Sequence, residues 1–118
     1  MHWPWITSIQ SHPQHELLKK MARGVPGMIA FRLKGNLEQT FMFLKSLKII
    51  ALAVSLGGFE SLMEHPASHT HGDVPADERE KLGIYDTVVR FSVGLEEPQD
   101  LISDLDQALT KALPDGLY

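Results

Sequence analysis

The chain has no cysteine. That absence excludes disulfides, zinc–thiolate centres and thiol nucleophiles, and it points to a cytoplasmic protein. It also lacks a basic surplus: 11 Lys and Arg stand against 15 Asp and Glu, for a formal net charge of −4. A nucleic-acid binder normally carries a basic face, so nucleic acid is not an expected partner. No apolar run approaches the roughly 20 residues of a membrane span. The opening "MHWPWITSIQ" has neither a basic flank nor a long apolar stretch, so it does not read as a secretory signal. Internal repeats and low-complexity segments are missing too. No GxGxxG or Walker lysine, no HExxH, no serine–histidine–acid triad and no paired-carboxylate motif can be assembled. The sequence offers groups that bind but none that reads as catalytic.

What is present is enough for one core. The 118 residues are 43% hydrophobic and 22% charged, an ordinary balance for a single globular domain. Residues 1–10, with Trp3, Pro4, Trp5 and Ile6 crowded together, read as a divergent leader, and 11–118 as the domain proper. A helix is predicted from Pro13 to Gly24, with Leu17, Leu18 and Met21 as its apolar stripe. "GMIAFRL" (27–33) alternates as a strand. Asn36 and Gln39 form a capping box for a helix that continues through Leu37, Phe41, Leu44 and Lys48. "IIALAV" (49–54) reads as a buried strand. The segment 55–73 reads as loop, broken by Gly57-Gly58 and Pro66. A short helix over 75–82, a strand in "DTVVRFSVGL" and a helix over 98–112 complete the chain. In the last helix Leu101, Ile102, Leu105, Ala108 and Leu109 are expected to face inward. The pattern predicts an α+β domain: a largely antiparallel sheet with helices on one face.

Three places could carry chemistry. Arg90 interrupts a strand in which Val89, Phe91 and Val93 share one face and Val88, Arg90 and Ser92 the other. A guanidinium fixed there is a fork suited to a carboxylate, or else a surface arginine paired with some nearby acid. "AVSLGGFESL" (53–62) leads from a strand into Ser55 and two glycines. That is either a turn needing positive φ or a place where a ligand approaches the backbone. His65, His69 and His71, with Glu64 and Asp73, suggest a metal site at first sight. Their spacing matches no metal motif, so no metal is expected.

Taken together, "SLGGFESL", "EHPASHTH", "GIYDTVVRFSVGLE" and "DLISDLDQAL" resemble the C-terminal domain of the Cys/Met-metabolism family of pyridoxal-phosphate enzymes, the cystathionine γ-lyases and their relatives. The resemblance runs from about Ser11 through Ala112. It implies the small C-terminal domain of a fold-type I pyridoxal-phosphate enzyme. In such a domain Arg90 would bind the α-carboxylate of a sulfur amino-acid substrate. Ser55 would lie at the active-site wall with Val54 beside it, and Leu56 and Thr70 would complete that wall. The implied parent reaction cleaves cystathionine to cysteine, 2-oxobutanoate and ammonia.

Three departures qualify the implication. The lysine that carries the cofactor belongs to a large domain upstream of the matching region, as do the cofactor's other ligands. The chain alone is therefore expected to be inactive, to bind pyridoxal phosphate poorly, and to need a large domain or a full-length homologue as partner. Where lyases and synthases acting on cystathionine have glutamate before the serine, this chain has Val54, which is closer to methionine γ-lyase. The divergent start suggests a truncated product, an alternative transcript or a misplaced start. A non-catalytic module that binds amino acids or a relative is the alternative function. Separated from a large domain, the chain is expected to expose an apolar patch around Trp3, Trp5 and the 53–62 loop.

Overall fold

The computed structural model describes residues 10–114. Trp3, Trp5 and the rest of the leader up to residue 9 lie outside the described residues. Eight elements follow one another: α1 (His15–Met21), β1 (Met28–Arg32), α2 (Leu37–Ser46), β2 (Ala51–Leu52), β3 (Leu62–Glu64), α3 (Ala76–Lys81), β4 (Val88–Ser92) and α4 (Pro98–Ala112). The four strands form one sheet in the order β1-β4-β3-β2. β4 runs antiparallel to both β1 and β3, and only the β2–β3 pair is parallel. The α+β architecture with a largely antiparallel sheet is as the sequence implied.

Strand alternation sorts the sheet into two faces. Phe31, Met63, Val89 and Phe91 point to one side and are nearly inaccessible. There they meet Phe43 and Leu44 of α2 and Leu101, Ala108, Leu109 and Ala112 of α4, which also pack on each other. Arg90, Glu64 and Ser92 occupy the opposite face, with Glu64 of β3 directly across from Arg90 of β4. The burial of apolar side chains on the helical side is the main stabilising term, at roughly 25 cal/mol per Å².

α2 begins as the sequence predicts. Asn36 accepts a hydrogen bond from the Gln39 amide at 2.9 Å, and the Gln39 side chain accepts from the Asn36 amide at 3.0 Å. Asn36→Ala removes one half of that box and is expected to cost about 1 kcal/mol in urea unfolding. An unchanged midpoint would show that tertiary packing alone fixes the start of the helix.

Several elements depart from the sequence reading. α1 starts two residues after Pro13 and buries nothing: Leu17 and Met21 are exposed. α2 stops at Ser46, short of Lys48. The run 49–54 is not a buried strand. Only Ala51–Leu52 pairs, at the sheet edge, and Ile50 alone of the run is buried. β3 falls within the segment read as loop. On α4, Ile102 is exposed and Asp104 is buried in its place. At 100° per residue Ile102 lies on the rim of the stripe that Leu101, Leu105, Ala108 and Ala112 define.

Candidate carboxylate-binding site

The site is built on β4 and on the connection 53–61, which joins the parallel strands β2 and β3. Parallel neighbours normally need a longer crossover, often a helix. Here the short connection instead folds back over the sheet face that α2 and α4 leave open. Gly57, with φ of 73°, makes the turn. Its amide donates to Ser92 Oγ at 2.9 Å. The carbonyl of Phe59 accepts from the Leu95 amide at 2.8 Å. The return is pinned by Ser61, whose hydroxyl donates to Glu96 Oε1 at 2.9 Å and accepts from the Gly94 amide at 2.8 Å. The Ser61 amide also donates to Glu96. A Cβ on Gly94 would fall on the Phe59 carbonyl and the Ser61 amide, so only glycine fits under this loop. The backbone hydrogen bond from Ser61, then that from its own amide, outweigh desolvation and hold the Glu96 carboxyl below its ordinary value, with the Ser61 hydroxyl assisting.

Arg90 lies beneath this loop, its side chain 29% accessible. Its Nη2 donates to the Val54 carbonyl at 3.3 Å and forms an ion pair with Glu64 Oε2. Glu64 stands directly opposite Arg90 in the β3–β4 register and is 1% exposed. The arginine therefore does have an acidic neighbour, but a buried one on the adjacent strand. Spacing alone could not reveal Glu64, because it sits on a three-residue strand flanked by breakers. The alternation of Leu62, Met63 and Glu64 was the only signal.

The other expected site residues divide. Val54 meets Arg90 through its carbonyl, while its side chain is exposed. Ser55 is exposed at the loop entrance, and its hydroxyl has no hydrogen-bond partner among the described residues. Leu56 is exposed beside it and, with Leu52, Val54, Phe59 and Leu95, gives this end of the sheet an apolar rim. That rim accounts for the loop half of the patch the sequence suggests. Thr70 is exposed and pairs with His71 Nδ1 at 2.9 Å; no described contact joins it to Arg90.

The histidines make contacts within the fold and do not converge on one centre. His65 is buried, with Nε2 2.7 Å from the Asp86 carbonyl and Nδ1 2.7 Å from Ser68 Oγ. A carbonyl only accepts, so Nε2 carries a proton. His69 Nδ1 accepts from the His65 amide. Among the described residues no group of three or more His, Asp or Glu side chains could hold a metal ion.

Residues 3–110 match the model of the Cys/Met metabolism PLP-dependent enzymes. The chain belongs to that family. It is 59% identical over 106 residues to cystathionine γ-lyase of Sus scrofa, covering 90% of this chain but 26% of that enzyme. It is 48% identical over 107 residues to L-methionine γ-lyase of Fusobacterium nucleatum, covering 91% and 27%. Cystathionine γ-synthase of Xanthomonas oryzae, solved in complex with cystathionine, superposes with a TM-score of 0.84 at 38% identity, over 91% of this chain and 28% of that one. The chain thus spans little more than a quarter of the relatives it matches.

The described residues do not fit the cofactor's anchor. Lys34 follows β1 at the end remote from the Gly57–Ser92 contact, beside Arg32, Leu33 and Gly35. Lys45 lies in a hollow with Leu37, Glu38, Phe41 and Met42. No lysine touches Arg90 or the 53–59 loop among the described contacts. What the chain presents is a guanidinium, an open hydroxyl and an apolar rim, a set suited to the carboxylate end of an amino acid. Among the described residues no helix is long and apolar enough to cross a membrane.

Proposed function

We propose that this chain is the small-domain portion of a pyridoxal-phosphate-dependent carbon–sulfur lyase, and that Arg90 receives the α-carboxylate of its sulfur amino-acid substrate. The observation that carries this reading is the placement of Arg90: partly accessible on a central strand, under a loop whose outer side chains are apolar. Ser55 and Leu56 form the rim of the wall, with Thr70 as a more remote member. The cofactor would supply the electron sink for carbanion chemistry, held by a partner portion that also covers Leu56, Phe59 and Leu95. The cytoplasm is the setting, consistent with a cysteine-free chain.

Val54 favours a second reading of the substrate. An exposed apolar side chain here gives a distal ammonium no counter-charge, so methionine-like substrates suit the wall better than cystathionine. A non-catalytic role, pairing with a full-length relative, rests on the same apolar rim.

The test is a chimaera in which this chain replaces the matching portion of the Sus scrofa cystathionine γ-lyase. Expected are turnover by the chimaera and none by the chain alone after incubation with pyridoxal phosphate. Arg90→Lys in the chimaera, which keeps the charge but loses the fork, is expected to lower kcat/KM roughly 100-fold, the worth of about 2–3 kcal/mol of charged hydrogen bonding. An Arg90→Lys chimaera as active as its parent removes the arginine from substrate recognition. Parallel assays with cystathionine and methionine decide between the two substrates.

A further inference from the structure

Glu64 is a costly residue to keep. It is 1% exposed, and its carboxylate has no partner among the described residues other than the Arg90 guanidinium. The ion pair with Arg90 is therefore what offsets its desolvation among the described residues. Buried pairs of this kind seldom add net stability compared with apolar side chains of similar size. A stability role does not explain its position.

The geometry does. Arginine has five N–H donors, and both described contacts of Arg90 fall on Nη2: the Glu64 carboxylate and the Val54 carbonyl. The donors of Nε and Nη1 have no described partner, and the side chain stays 29% accessible. Glu64 and Arg90 are direct cross-strand neighbours on the two central strands, the most constrained backbone in the sheet. A free arginine loses rotamer entropy when a ligand immobilises it. One already fixed by a buried acid does not.

We propose that Glu64 is the positioning residue for Arg90: it holds Nη2 from the neighbouring strand on the same sheet face and leaves Nε and Nη1 free to take an incoming carboxylate. The role of Arg90 as carboxylate receptor rests on the function proposed above; the fixing of its side chain does not. Glu64 itself does not touch the substrate. It acts only through the orientation of the guanidinium.

The test follows the Nε–Hε resonance of Arg90 by NMR in the full chain, free and during titration with sodium acetate. In the native chain rotation about Nε–Cζ is expected to be restrained, and acetate is expected to shift the resonance. Glu64→Gln keeps the shape without the charge, and Glu64→Leu removes the acceptor. Both are expected to speed the rotation at least several-fold and to weaken acetate binding about tenfold, while amide resonances away from β3 and β4 stay in place. A guanidinium equally restrained in both variants overturns the proposal. So does acetate binding as tight as, or tighter than, in the native chain, which would make Glu64 a competitor of the ligand. If acetate leaves Arg90 unshifted in the native chain while both variants free the side chain, the positioning role stands and the carboxylate reading of Arg90 falls.

Discussion

Replacing Arg90 with methionine is expected to lower the stability of the chain by about 3 kcal/mol, far more than loss of a surface charge would. Most surface charges contribute about 1 kcal/mol or less. The difference lies with the partner: Arg90→Met leaves Glu64 buried, with no hydrogen bond and no counter-ion. Breaking a buried pair from one side typically costs about 3–5 kcal/mol, and the partial exposure of Arg90 places it at the low end. The double variant Arg90→Met, Glu64→Met removes both charges and is expected to recover most of the loss, since apolar groups of similar volume often replace such pairs without penalty. Urea unfolding at pH 7 of the native chain, the single variants Arg90→Met and Glu64→Met, and the double variant gives the coupling energy directly. Equal losses for the double variant and for Arg90→Met would mean that the cost lies in lost packing of the arginine stem and not in a stranded carboxylate.

This pairing also marks the limit of what the sequence revealed. The β4 alternation was legible, because Val89 and Phe91 against Arg90 and Ser92 follow the two-residue period of a strand with unlike faces. The capping box at Asn36 was legible for a similar local reason. β3 was not: three residues give too short a pattern, and the neighbouring Gly57-Gly58 and Pro66 are stronger signals for loop. The run 49–54 misled in the other direction. Continuous apolar residues suggest a buried strand, but here they form a sheet edge and a loop whose outer side chains are exposed. Arg90 was readable as an arginine on the polar face of a strand, whereas its ion pair with Glu64 depended on a tertiary neighbour.

Asp104 is the clearest case of a structural role hidden in a polar stripe, and removing it is expected to cost about 3 kcal/mol. It is 3% exposed on the buried face of α4. Its carboxylate accepts from three successive backbone amides, of Lys48 at 2.8 Å, Ile49 at 2.8 Å and Ile50 at 2.9 Å. Gln107 donates to it as well, and to the Ser46 carbonyl at the end of α2. Together these groups hold the bend that carries the chain from α2 into β2. Burial pushes the Asp104 carboxyl up, but the hydrogen bonds from Ile50, Lys48, Ile49 and Gln107 outweigh it and hold the group below its ordinary value. Asp104→Ala strands the donors; those of Lys48 and Ile49 can turn to water, while that of buried Ile50 cannot, which sets the loss near 3 kcal/mol. The pH dependence follows from the sign of the shift. A carboxyl depressed in the folded state contributes stability that is complete above its unfolded value, near pH 4, and is lost as pH falls through the folded value. Glu96, also depressed, behaves in the same direction. The native chain is therefore expected to lose stability on acidification below about pH 4, and Asp104→Ala to lose less over the same range, by up to about 1.4 kcal/mol per pH unit for one proton. The consequence reaches the site, because β2 delivers Val54 to Arg90. Loosening the bend is expected to weaken the Val54 contact and shift the Arg90 Nε resonance even at pH 7. An acid limb as steep in Asp104→Ala as in the native chain would assign the acid sensitivity to other carboxylates and leave the bend held by packing alone.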